Sequence, residues 1–249
     1  MRNERAVSLH RLSCDGLVKD HGGSFQLGPL SLEFADGVTC LVGPNGAGKS
    51  TFFRIAAGLE KPTSGSVRLP RGKSDERISP LGYLPQILDM PPGATCEEFL
   101  HYVAWVHRIP AGRREKAVAD VLSRTGLAER VTSKIRTLSG GMARRLGIAQ
   151  AMIHDPVMLL LDEPTVGLDP RQRLALRETI AAIAAERIVI VSTHLVEDIR
   201  GLADRVVVLD GGTVVFDGDV PALEAKSDPG APGETDLERA LATLMGAPE

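Results

Sequence analysis

The chain has 249 residues, 43% hydrophobic and 24% charged, which fits one large or two modest globular domains and excludes global disorder. Lys and Arg number 29 and Asp and Glu 32, a net charge of −3, so a nucleic-acid coat is not expected. The longest apolar stretches, such as 157–161, are too short to span a bilayer; no signal peptide is expected behind Met1-Arg2-Asn3-Glu4-Arg5; and Cys14, Cys40 and Cys96 are too scattered for a disulfide framework or zinc site, as expected in a reducing cytosol.

Residues 1–36 alternate weakly and turn at Gly22-Gly23 and Asp36-Gly37, which predicts an antiparallel β edge. Val38-Thr39-Cys40-Leu41-Val42 reads as a strand buried on both faces, and 51–59 as a helix. From about Ile87 to Pro156 no β-rich run occurs. Thr95 and Glu98 form a T-x-x-E capping box opening a helix with Phe99, Tyr102, Val103 and Val106 on one side. A second helix is expected over about Glu115 to Arg124, and a third from Ser139 with Met142, Leu146, Ala149 and Ile153 on one face. The runs at 157–161, 188–191 and 206–209 again read as buried strands. Between them Asp169-Pro170, a cap followed by proline, opens a helix with Leu176, Ile180 and Ile183 on one face.

Strands alternating with helices predict an α/β fold with a mixed, mainly parallel sheet. The organisation expected is one unit over 1–225, with a core of 1–86 and 156–225 and an all-helical subdomain of 87–155. The stretch 226–249 reads as a Pro- and Gly-rich linker with a short final helix.

Gly43-Pro44-Asn45-Gly46-Ala47-Gly48-Lys49-Ser50 matches G-x-x-x-x-G-K-[ST], between a predicted strand and a predicted helix. Glycines let consecutive N–H groups curl toward phosphate oxygens, and the helix start that includes Thr51 adds partial positive charge. Lys49 then reaches the β- and γ-phosphates and the Ser50 hydroxyl coordinates Mg²⁺. Asp162 and Glu163 end an apolar strand, where ligand sites of parallel sheets lie. Asp162 is expected to hold Mg²⁺ through water, and Glu163 to act as the base that polarises the attacking water.

Leu138-Ser139-Gly140-Gly141-Met142 closely resembles the Leu-Ser-Gly-Gly-Gln signature of ATP-binding-cassette (ABC) proteins, with Met142 in place of Gln. The resemblance covers roughly residues 10–220 in the family's order. Gln86 in Gly82-Tyr83-Leu84-Pro85-Gln86 matches the Q-loop, Gly167-Leu168-Asp169 the D-loop, and His194 in Ser192-Thr193-His194 the switch histidine. At the position of the family's adenine-stacking aromatic this chain has His21, with Phe25 nearby as a possible substitute.

The resemblance implies a P-loop ABC nucleotide-binding domain using ATP and Mg²⁺. Two such subunits, identical or related, would pair head to tail. Ser139, Gly140, Gly141 and Asp169 would then serve the partner's ATP, His194 its own γ-phosphate, and Gln86 the metal and its coupling to the helical insert. It further implies an integral-membrane permease as partner, docked near Ile87 to Phe99, and a place at the cytoplasmic face of the cell membrane. The subfamily resembled is export-type. The alternative is a soluble ribosome-associated or repair-type cassette, whose paired cassettes or long coiled coil this chain lacks.

Overall fold

The computed structural model describes residues 10–23, 25–72 and 79–246; the charged start Met1–Arg5 lies outside them. The chain begins with an antiparallel pair, β1 (Leu12–Asp20) and β2 (Gln26–Phe34), then enters β3 (Gly37–Val42) and helix α1 (Lys49–Ala56). Strand β4 (Ser64–Arg68) returns to β1, giving a three-stranded sheet of order β2-β1-β4. Strand β5 (Leu81–Leu84) leads to three helices, α2 (Cys96–Val106), α3 (Ala111–Arg124) and α4 (Gly140–Met152). The chain then builds β6 (Met158–Asp162), α5 (Pro170–Ala184), β7 (Ile188–Thr193), α6 (Val196–Leu202), β8 (Arg205–Asp210) and β9 (Thr213–Gly218). Helices α7 (Val220–Glu224) and α8 (Asp236–Met245) close it.

The main sheet has the order β5-β6-β7-β3-β8-β9, parallel throughout except for β9. Its central strands are apolar because both faces are covered. Leu159, Leu161, Val189 and Val191 point toward the helical insert and α5; Met158, Leu160, Ile188 and Ile190 point the other way. On that second side α1 lies between the two sheets. Phe52 and Phe53 are fully buried there, with the Phe34 ring 5.7 Å from that of Phe52.

The helical insert, the mainly parallel sheet and the Asp169-capped helix follow the sequence pattern. Four details differ. The antiparallel sheet takes its third strand from Ser64–Arg68, a polar, mostly exposed segment with no apolar alternation to mark it. Helix α3 starts four residues before Glu115, directly after Pro110, because its first turn is solvated and carries no apolar signal. In α2 the buried stripe is Cys96, Phe99, Leu100, Val103 and Ala104. At 100° per residue Tyr102 projects from the opposite face and Val106 from its edge, and both are exposed. Finally, α8 is no free tail: a Thr235–Glu238 capping box opens it, and Leu237, Ala240 and Leu241 join the same core as β8.

Phe52→Ala is expected to cost about 3–5 kcal/mol, since it opens a cavity between two sheets that cannot collapse onto each other. Urea denaturation of the variant against the native chain checks this.

Candidate nucleotide site and its neighbouring cleft

The loop from β3 to α1 turns through Gly46, whose φ of 85° excludes most side chains. Lys49 folds back across it, donating from Nζ to the carbonyls of Gly43 at 2.6 Å and Pro44 at 3.0 Å. The lysine is only 6% exposed. Burial pulls its pKa down, while the charges of Glu163 and Asp162 hold it up. No side chain caps the start of α1, where the N-cap is Gly48, so its first N–H groups are open to an anion.

The two carboxylates stand at the end of β6, beside the ends of β5 and β7. Asp162 accepts a hydrogen bond from Ser192 Oγ at 2.5 Å and another from Ser50. Burial raises the Asp162 pKa, and the Ser192 bond opposes that rise. Glu163 leaves the strand in a left-handed conformation, φ 46°, and its amide donates to Ser192 Oγ at 2.8 Å. Its carboxylate is gripped from two sides. Gln86 Nε2 donates to Oε2 at 2.8 Å, and His194 Nδ1 lies 3.3 Å from Oε1. The structure thus gathers Lys49, Ser50, Gln86, Asp162, Glu163 and His194, which lie far apart in the sequence.

Ser50 and Asp162 are hard oxygen donors already hydrogen-bonded to one another, and they fit a small divalent cation. Among the described residues no cluster of three His, Cys, Asp or Glu could enclose a metal. A cation here would therefore keep water and phosphate oxygens, the coordination Mg²⁺ prefers.

A cavity of about 450 Å³ opens over this group, lined by Asn45, Gly46, Gly48, Lys49, Ser50, Thr51, Gln86, Glu163 and Phe25. Phe25, not His21, stands in the wall. The chain leaves β1 at Asp20 and turns at Gly22-Gly23, so His21 swings outward, with Nδ1 3.7 Å from Glu60. Phe25 packs directly against Gly48, where even a methyl group would meet its ring at 3.2 Å.

Ser139, Gly140 and Gly141 are absent from that wall. Ser139 caps α4 by accepting from the Met142 amide at 3.3 Å. Gly140 faces Leu168, and Gly141 packs on Gln172. Asp169 caps α5, accepting from the Gln172 amide at 2.9 Å. The signature and the Gly167–Asp169 loop are therefore neighbours on a separate surface.

Several contributors carry no motif. Arg144, on α4, donates to the Pro85 carbonyl at 3.4 Å and feels the charges of Asp162 and Glu163, which oppose the lowering of its pKa by burial. Ser192 Oγ links the Asp162 carboxylate to the Glu163 backbone amide. Asp198 is fully buried behind them with Thr165, Thr193 and Arg177. Its one sequence signal is an acid beside Ile199 on the apolar face of α6.

A second cleft, of about 220 Å³, separates the helical insert from the sheet. Ala57 and Leu59 line it from beyond α1, Tyr83 from β5, His107 from the end of α2, and Gln150 and His154 from α4 and beyond. The imidazoles of His107 and His154 stack at 4.0 Å, 7° from parallel. His154 Nε2 meets the Leu81 carbonyl at 3.0 Å, while its Nδ1 is buried without a partner. Of the run expected to line a docking surface, Ile87 is 81% exposed whereas Phe99 belongs to the core.

The sequence profile of the ABC transporter family matches residues 27–166, more than half of the chain, and the chain belongs to that family. A relative is the uncharacterised ABC transporter ATP-binding protein YxlF of Bacillus subtilis, 36% identical over 185 residues. That alignment covers 74% of this chain and 62% of YxlF, so the chain spans less than two thirds of that relative's length. The Nod factor export ATP-binding protein I of Ralstonia nicotianae is 33% identical over 213 residues, 83% of this chain and 66% of that protein. A solved ATP-binding subunit of an ABC transporter superposes with a TM-score of 0.75 at 24% identity, covering 94% of this chain and 98% of that one, so the two share a fold.

His154 supplies a pH dependence. Burial, then the neighbouring His107, pushes its pKa down from 6.5 to about 4, outweighing the Leu81 carbonyl and Asp155, while Arg187 adds to the fall. The unfolded chain therefore takes up this proton first. The stability it contributes is complete above pH 6.5 and is lost as pH falls toward 4. Over that window His154→Phe, which keeps a stacking ring, is expected to remove up to about 3 kcal/mol of the acid destabilisation. Denaturant titrations at both ends of the window measure it.

Proposed function

We propose that this chain binds and hydrolyses ATP as one half of a two-subunit engine, and that the engine drives a separate integral-membrane permease. The observation that carries the reading is the placement of the functional groups. One cavity holds a phosphate loop, a buried lysine and Glu163 gripped by Gln86 and His194, while the second anion-binding helix start, at Ser139, lies outside that cavity.

The geometry supports the following roles. The N–H groups from Asn45 to Thr51 and the ammonium of Lys49 bind and neutralise the β- and γ-phosphates, with Lys49 exchanging its carbonyl partners for phosphate oxygens. Ser50, Asp162 and the amide oxygen of Gln86 would hold Mg²⁺, which would supply positive charge against the phosphates. Glu163 accepts the proton of the attacking water, and its two neighbours hold it aimed. His194, half exposed, donates to the γ-phosphate. Phe25 offers the adenine a ring face that His21 does not.

ATP in such a site is contacted from one side only. Ser139, Gly140 and Gly141 of a second ABC subunit close the other, with Asp169 between them. Closure is thereby linked to the γ-phosphate, and hydrolysis releases it.

Membership of the ABC transporter family supports a separate permease and a station at the cytoplasmic face; among the described residues no helix is long and apolar enough to cross a membrane. The cleft between insert and sheet is the seat we assign to the permease's cytoplasmic segment. It touches the strand leading to Gln86, and its rim carries exposed Leu59. The likeness to a Nod factor export protein supports export.

Glu163→Gln is expected to slow ATP hydrolysis by about 10²–10⁴-fold and to trap an ATP-dependent dimer, read by phosphate release and by light scattering on a sizing column. Undiminished hydrolysis would remove Glu163 as the base. Phe25→Ala is expected to weaken ATP binding by about 5- to 50-fold and His21→Ala by less than about twofold, measured by calorimetry on the same Glu163→Gln background.

A further inference from the structure

Asp198 is 0% exposed, yet no phosphate, metal or water-activating role falls to it. Its Oδ2 accepts from the hydroxyls of Thr165 and, at 3.0 Å, Thr193; its Oδ1 accepts from Arg177 Nε at 2.9 Å. Thr193 Oγ1 in turn accepts from the Leu195 amide at 3.0 Å. Both threonines are themselves buried, and the arginine stem lies against Gly201, where a Cβ would come within 3.1 Å of it.

The segments joined are those that matter to the reaction. Thr165 lies two residues past Glu163, and Thr193 is the residue before His194. Arg177 is on α5, the helix capped by Asp169, whose first turn packs on Gly141. One carboxylate therefore holds the base-bearing loop, the histidine-bearing loop and the helix that leads to the signature surface. A buried charge is costly unless fully paired, and apolar residues could hold these segments together at less cost. Directional bonds from a single carboxylate do what apolar packing cannot: they fix relative positions and move as a unit.

We infer that Asp198 is a positioning residue: it sets the spacing of Glu163 and His194 and passes movement of α5 to that pair. The inference rests on the role of Glu163 given above. When a partner subunit presses on the Gly167–Asp169 loop, α5 shifts, Arg177 carries Asp198, and Thr165 and Thr193 follow. The catalytic pair is then aligned only in the closed assembly.

The test uses the full chain and single-bond variants. Thr165→Val removes one hydroxyl at constant shape, Thr165→Ser restores it, and Thr193→Val and Asp198→Asn probe the same node from other sides. Thr165→Val and Asp198→Asn are expected to lower kcat by about 10- to 100-fold with the KM for ATP changed less than about threefold, because a misaligned base costs rate without costing affinity. Thr165→Ser is expected to return kcat to within about threefold of native. Should Thr165→Val or Asp198→Asn fail to fold, Thr193→Val carries the same expectation.

Native kcat in the valine variants, or a kcat loss that tracks the melting temperature and is not restored by Thr165→Ser, would overturn the inference and leave a structural staple. Glu163→Gln is assayed alongside. If it is inactive while Thr165→Val is fully active, this inference alone fails; if it is fully active, the assignment of Glu163 fails and this inference with it.

Discussion

Two carboxylates, Asp162 and Glu163, are buried side by side at the end of a central strand, and much of the structure around them compensates that charge. An unpaired buried carboxylate costs several kcal/mol. Here Ser50 and Ser192 donate to Asp162, Gln86 donates to Glu163, and Lys49 sits within range of both. The sheet order makes this possible. In β5-β6-β7-β3 the strands are parallel, so the residues that follow each one emerge at the same edge. Gln86 follows β5, the carboxylates end β6, His194 follows β7 and the phosphate loop follows β3. Four separate stretches of sequence contribute to one site because one edge collects them.

The same arrangement connects the site to more distant surfaces through hydrogen bonds. Gln86 stands where the chain leaves the sheet for the helical insert, and Arg144 returns from that insert to the carbonyl beside it. On the opposite flank, Thr165 and Thr193 share Asp198 with α5. Both routes are short chains of polar contacts anchored on buried groups. The signature surface lies at the far end of the second route, where Gly140 and Gly141 meet Leu168 and Gln172. A site built this way is open on one side.

Where sequence and structure agree, the signal is local. The phosphate loop is eight consecutive residues whose backbone shape depends on their own glycines. The Thr95–Glu98 capping box and the Asp169-Pro170 start form bonds within one turn of helix. The fully buried strands at 157–161 and 188–191 announce themselves by unbroken apolar character. Where they disagree, the deciding partner is far along the chain. Ser64–Arg68 becomes a strand because β1 offers it an open edge, though nothing in its residues demands it. Tyr102 and Val106 are solvated because the stripe of α2 is set by what α3 and α4 leave to be covered.

By itself, then, the sequence determined the chemistry on offer: a phosphate loop, two acids after a buried strand, a signature, a glutamine and a histidine, each in a recognisable local setting. Only the tertiary structure decided that Phe25 rather than His21 faces the cavity, that Gln86 and His194 both close on Glu163, that Asp198 unites three segments, and that α8 belongs to the core. The division has a physical cause. Turns, caps and strand character arise between neighbours in the chain, whereas the pairing of buried polar groups is settled by desolvation, which exists only after distant segments have packed.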